Sequence, residues 1–280
     1  VYAPTRFFDV SADGSLIGFV LNRSRTSNIF VADAQRTATV RQRTFRNVVS
    51  GVSLSADGRQ FVFTDVRGQR RSVYLAGVSG GTAIRQISPA HMTEDQPSFS
   101  PDGRRIVYVR SEANPRGGTR PISSIVSLDL ATGVTTHHGE GHYPSFFPDG
   151  RRILCSRLNA ETGRSEIWII DSSTGAEILV VALRDQDCFS PSLSPDGTTV
   201  AFATQSIKPS QPANFDIFVV SIDGGRPVPV TSHLAHDISP CWASDGRSLY
   251  VLSQRGNASG VWQVWKFTPA NRPTDPASRK

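Results

Sequence analysis

The chain has 280 residues, 38% of them hydrophobic and 19% charged, with 23 Gly and 18 Pro. That is enough apolar material for a substantial core. It speaks for many turns and against long charged helices, and no apolar run approaches the roughly 18 residues of a membrane span. The net charge is +6, and residues 1–71 supply it with eleven Arg against five Asp. These arginines are scattered without interleaved aromatics, which argues against nucleic acid and for a solvated face or an acidic partner.

The first predicted strand, Phe8 to Ser11, runs into the turn Asp13-Gly14, and an alternating apolar run from Leu16 to Val20 follows. Asn28–Val31 and Thr37–Arg41 read as third and fourth strands. The series then returns as Val52–Ser55, Asp57-Gly58, Gln60–Phe63, Ser72–Leu75 and Ala83–Ile87. It returns again as Pro97–Ser100, Asp102-Gly103, Arg105–Val109, Ser124–Leu128 and Val134–Thr136. A fourth copy is Pro144–Phe147, Asp149-Gly150, Arg152–Cys155, Glu166–Ile170 and Ala176–Val181. The fifth is Pro191–Ser194, Asp196-Gly197, Thr199–Ala203, Asp216–Val220 and Val228–Thr231. The sixth is Pro240–Ala243, Asp245-Gly246, Ser248–Leu252 and Val261–Phe267. Period-two alternation rich in Val, Ile, Phe and Tyr is the pattern of a strand, and Asp-Gly suits the tight turn between two of them.

The Asp-Gly pairs are spaced by 44, 45, 47, 47 and 49 residues. Four strands in about 45 residues is the signature of a propeller blade, because such a sheet cannot cover both its faces alone. The expected fold is therefore all-β: a six-bladed β-propeller forming one domain over residues 1–270, followed by a flexible Pro-rich tail at 271–280. Three prolines between Thr268 and Pro276 make a poor fourth strand for the last blade. Val1–Ala3 are expected to pair there instead, or that blade has three strands.

Cys155, Cys188 and Cys241 are odd in number and lack CxxC spacing, so they read as small buried hydrophobes. Gly77-Val78-Ser79-Gly80-Gly81 matches GxSxG, but it falls where the repeat places a turn, not before a helix. The six Asp-Gly aspartates belong to separate turns and read as turn formers. The candidate site lies elsewhere. Just before the first strand of each blade stand Glu94 and Asp95, His142, Asp187 with Cys188, and His236 with Asp237. His91, His137, His138 and His233 fall in the same connections, so no histidine is expected in a strand core. Three readings suit these residues: a polar channel mouth holding water or a cation, a recognition surface for a peptide or small ligand, and a metal site of His142, His236, Asp237 and Glu94. The long loops from Arg110 to Ser123 and from Gln205 to Asn214 are expected to flank that face.

Pro97-Ser98-Phe99-Ser100-Pro101-Asp102-Gly103-Arg104 resembles the repeat of TolB-type propellers, as does Pro191-Ser192-Leu193-Ser194-Pro195-Asp196-Gly197. The stretch Asp216 to Val220, then Asp223-Gly224-Gly225, then Val230-Thr231 carries the same resemblance. It spans the whole chain, and the repeat is shared with propeller domains of prolyl-oligopeptidase-family enzymes. The resemblance implies a non-enzymatic, exported or periplasmic module that docks a protein or peptide at the channel mouth. The alternative is a metal-dependent enzyme of lyase or hydrolase type, or an accessory propeller of a larger hydrolase. The 280 residues are expected to carry neither the extra α/β domain of TolB nor the hydrolase domain of the peptidases, so the expectation is a bare propeller or one cut from a larger protein.

Overall fold

The computed structural model describes residues 7–23, 26–34, 39–45, 48–68, 70–80, 83–89, 92–114, 121–206, 214–256 and 262–270. These form strands and turns, with no helix among the described residues. The first sheet is β1 (Phe8–Val10), β2 (Leu16–Arg23), β3 (Thr26–Asp33) and β4 (Val40–Gln42). The second is β5 (Val49–Leu54), β6 (Gln60–Arg67), β7 (Arg70–Gly77) and β8 (Arg85–Gln86). The third is β9 (Thr93–Phe99), β10 (Arg105–Glu112), β11 (Ile122–Asp129) and β12 (Thr135–Glu140). The fourth is β13 (His142–Phe146), β14 (Arg152–Leu158), β15 (Ser165–Asp171) and β16 (Glu177–Val181). The fifth is β17 (Gln186–Leu193), β18 (Thr199–Ser206), β19 (Phe215–Ser221) and β20 (Gly224–Pro229). The sixth holds β21 (Asp237–Trp242), β22 (Leu249–Ser253) and β23 (Gln263–Phe267). In every sheet the strands lie side by side in chain order. These are the blades of a six-bladed β-propeller.

The chain forms two compact units, with described residues at 7–151 and 152–270. In the first unit, period two explains how the sheets stack. Phe61 and Phe63 face a core with Ile29, Val31, Val52, Leu54 and Tyr74, while Val62 between them faces another with Phe99, Ile106, Tyr108 and Val126. A strand covered on both faces has no polar side, which is why Phe61, Val62 and Phe63 are all fully buried. Each fully buried side chain of this size contributes about 1.5–3 kcal/mol. One polar column adds to this packing. Asp9 Oδ2 accepts the amide of Leu54 at 2.9 Å, and Ser53 Oγ accepts that of Phe99 at 3.5 Å. In the second unit, Ser192 Oγ accepts the amide of Trp242 at 3.4 Å. Each bond ties one blade to the next.

The repeated turn has a clear cause. In the third blade Ser100 Oγ donates to Asp102 Oδ1 at 2.6 Å and accepts the amide of Arg105 at 2.9 Å. Asp102 Oδ1 also accepts the amide of Arg104 at 3.0 Å. The chain then turns through Gly103 at φ 68°, and the matching Gly150 has φ 66°. All six aspartates accept a backbone amide two residues on, so they are turn formers as expected. Gly77 to Gly81 is likewise a turn as far as Gly80, not a nucleophile elbow.

A second repeated feature was not anticipated. Gln96, Tyr143, Ser190 and Ser239 have φ of 58°, 54°, 49° and 52°, and each precedes a proline in the first strand of its blade. The second blade has Gly51 in this column, at φ 60°. Gln96 and Pro97 together face Tyr108, because Ser98 pairs with Val107 and Asp95 with Val109. The same bulge occurs at Ser190-Pro191 and Ser239-Pro240. Proline has no amide to donate, so a bulge is where a strand can hold it. Left-handed backbone at a non-glycine residue costs about 1–3 kcal/mol, so the sheet must hold each of these four in place.

The outer strands needed correction. Val134–Thr136 is replaced by β12, which reaches Glu140 and contains His137 and His138. Val228–Thr231 is replaced by β20, which starts at Gly224, and Thr37–Arg41 by Val40–Gln42. Cys155 and Cys188 are buried as expected, whereas Cys241 is half-buried near the end of β21. The closure by Val1–Ala3, His91, the tail from 271 and parts of both long loops (115–120 and 207–213) lie outside the described residues.

Candidate functional site

Apart from His236, the candidate residues do not precede the first strands; they belong to them. Glu94 and Asp95 lie in β9, His142 opens β13, Asp187 lies in β17 and Asp237 opens β21, with His236 just before it. The reason is the bulge. It interrupts the alternation at the proline, so the pattern makes the strand look shorter than it is.

In the first unit Glu94 is fully buried. Its Oε1 accepts Arg110 Nε at 2.8 Å, and Arg110 Nη2 lies 2.8 Å from the same oxygen. Arg110 Nη2 also reaches the hydroxyl of Tyr108 at 3.3 Å. Glu94 Oε2 is buried and lies outside the arginine contact, with Ser88 and Tyr108 as further hydrogen-bonding neighbours of the carboxyl. Burial pushes the Glu94 carboxyl above the usual range, against the opposing bond from Arg110, and pushes the Tyr108 phenol up to about 12. Asp95 pairs with Arg71, and its Oδ1 accepts the amide of Gln96 at 2.8 Å. Gln96 Oε1 in turn accepts the amide of Tyr143 at 2.6 Å, joining the bulges of two blades. Burial lowers the pKa of His142, and the charge of Asp95 opposes that shift.

The other histidines of this unit have local tasks. His138 Nε2 lies 2.8 Å from Ser127 Oγ, and burial lowers its pKa to about 4. Such a ring stays neutral and structural at physiological pH. His137 Nδ1 accepts the amide of Gly139 at 3.2 Å.

In the second unit Asp237 is also fully buried. Its Oδ2 accepts Arg255 Nη2 at 2.7 Å, while Oδ1 has no hydrogen bond. The Arg255 guanidinium lies 4.9 Å from the Phe267 ring centroid, where the ring's negative face supports it. The His236 ring stands edge-on to Phe215 at 5.2 Å, with its buried Nδ1 unmatched. Asp216 completes the cluster and was missed in the sequence. It accepts bonds from Thr231 at 3.3 Å and Asn214 at 3.2 Å. Burial raises its pKa, and the charge of Asp237 adds to that rise. Asp187 is separate in character: it accepts the amide of Ser165 at 2.9 Å and pairs with Arg164 at 3.7 Å.

Glu94 and Asp237 thus stand three residues before Pro97 and Pro240. Each is a buried carboxylate that an arginine neutralises through one oxygen, with the other oxygen left over. This arrangement can accept further hydrogen bonds from a cationic group. Among the described residues no three His, Cys, Asp or Glu side chains are grouped to hold a metal ion.

The profile of the TolB beta propeller domain, PD40, matches residues 3–162 and 143–272. The chain belongs to the TolB β-propeller domain family. It is 30% identical over 208 residues to an uncharacterised protein of Agrobacterium fabrum, a match covering 69% of this chain and 66% of that one. It is 29% identical over 190 residues to the Tol-Pal system protein TolB of Francisella tularensis subsp. holarctica, covering 64% of this chain and 42% of that protein. The solved TolB of Acinetobacter baumannii aligns with a TM-score of 0.69 at 20% identity, covering 84% of this chain and 56% of that one. The chain therefore matches less than two thirds of the length of each of these relatives.

Proposed function

We propose that this TolB-type propeller is an exported protein- or peptide-binding module that receives a cationic segment of its partner at the ends of its first strands. Two buried carboxylates at equivalent repeat positions support this reading: Glu94 and Asp237 each meet an arginine through one oxygen, and Asp237 Oδ1 has no hydrogen bond. A buried acceptor left unmatched costs about 1–3 kcal/mol, and a ligand amine or guanidinium that reaches it recovers that loss. The bulge beside each acid favours a preorganised site within each unit, and no site between the two units is implied.

Fluorescence anisotropy with labelled basic, neutral and acidic peptides tests the proposal. Basic peptides should bind best, and Glu94→Gln or Asp237→Asn should weaken them by about tenfold or more. Equal binding of all three peptides, or no effect of either substitution, would remove the support for this site. Export is checked by fractionation of the native host.

A further inference from the structure

The basic excess of residues 1–71 is concentrated, in part, on a cavity. This cavity of about 230 Å³ is lined by Leu16, Val31, Ala32, Asp33, Thr39, Arg41, Arg43 and Val78. Arg41 lies in β4, and Arg43 follows directly after that strand. Val78 comes from the turn after β7, so the wall joins the first two blades. That turn belongs to the GxSxG match that the repeat places between the third and fourth strands, and its geometry gives it a use of its own.

Gly80 has φ 81°, and a Cβ placed there would come within 3.2 Å of Arg43 Nη1. The Arg43 guanidinium thus lies close against the turn, where any side chain at position 80 would press on it. Arg43 Nε is buried and makes no hydrogen bond. Burial lowers the Arg43 pKa, and the neighbouring charge of Arg41 lowers it further. Two guanidiniums thus share one cavity with a single carboxylate, Asp33, among the described residues that line it. Two like charges held together, one with a donor out of water, leave donors and positive potential for an occupant of opposite sign.

We propose that this cavity binds a phosphate monoester. The forked donors of two arginines match the oxygens and double charge of that group. Leu16, Val31 and Val78 offer an apolar wall to a small organic body. The volume is below the ~300–1,000 Å³ of pockets that enclose drug-sized ligands, so the body is compact. The group can arrive on a free metabolite or on a lipid headgroup.

The test compares thermal shift and calorimetric titration with glycerol 3-phosphate and inorganic phosphate, against chloride at equal ionic strength. Vesicles of neutral lipid with and without phosphatidic acid form the second arm, read by co-sedimentation. Arg43→Met keeps the aliphatic stem and removes the donors; it should weaken binding by about tenfold or more. Gly80→Val, which crowds the guanidinium, should weaken it too, while Arg67→Gln on the exposed end of β6 should not. Binding of the soluble phosphates that Arg43→Met abolishes supports a free ligand. Binding only to phosphatidic acid vesicles, lost in Arg43→Met, supports the same chemistry on a lipid. No binding in either arm, or binding that Arg43→Met leaves intact in a folded variant, overturns the proposal. Glu94 and Asp237 are absent from this site, so Glu94→Gln and Asp237→Asn should leave phosphate binding unchanged.

Discussion

Gly103 isolates a backbone effect in one residue. It has φ 68°, and nothing lies within 4 Å of a Cβ built on it. Gly103→Val therefore meets no clash with a neighbour, and its cost of about 1 kcal/mol or more comes from the backbone angle alone. Gly103→Asn should cost less, because Asn tolerates left-handed backbone better than other side chains. Urea denaturation of the two variants checks this order; equal stabilities would show that the angle is not what selects glycine here. The Asp-Gly turns were legible in the sequence because one side chain and one missing side chain set them locally. The arginine partners were not. Arg110 and Arg255 pair with Glu94 and Asp237 across 16 and 18 residues, and only the strand register brings them together. Asp216 escaped for the same reason, since its neighbour Asp237 comes from another blade.

Among the strands, the second and third of each blade were readable because burial enforces their alternation, whereas several first strands read short at the bulge. The fourth strands were not, because they carry little apolar pattern: β8 has two residues, and β12 is mostly exposed. The bulges did leave a trace. Glycine stands at position 51 in the column that holds Gln96, Tyr143, Ser190 and Ser239, and a glycine there points to positive φ in the others. The serine two residues before the turn aspartate is an element-scale device. Ser55, Ser100 and Ser194 each bond their aspartate and accept an amide five residues on. Replacing any one by Ala leaves a buried amide unmatched, and each should lose about 1–3 kcal/mol. Thermal melts of the three variants should show similar losses, whereas a stable Ser100→Ala protein would refute the shared role.

For the molecule as a whole, the turns predict an acid-sensitive fold. Hydrogen bonds from Ser11 and Ser15 hold the Asp13 pKa at about 2, and similar bonds lower those of Asp57, Asp102 and Asp245. A carboxyl whose folded pKa is depressed stabilises the fold above its unfolded value, about 3.9, and loses that contribution as pH falls through the folded value. Stability should thus decline as pH falls from about 4 towards 2. Glu94 and Asp216 act in the opposite sense, because burial raises their pKa values and protonation relieves that burial. The four turn aspartates outnumber them, so the decline should prevail. Denaturation midpoints measured across that range check the direction; a flat profile would contradict it.

The order of strands within each sheet also bears on synthesis. Because neighbours in a sheet are neighbours in the chain, a blade can pair its strands soon after it leaves the ribosome. Its apolar face cannot be covered so early. Phe61 and Phe63 find their partners in residues already made, but Val62 and Val73 wait for Phe99, Ile106 and Tyr108. The amide of Phe99 likewise meets Ser53 only then. A nascent chain therefore always carries one finished sheet with a bare outer face, and it is the newest one. Once residues up to about 90 have left the ribosome, an arrested chain should hold the second blade paired but greasy, the natural target for a holding chaperone until the third blade emerges.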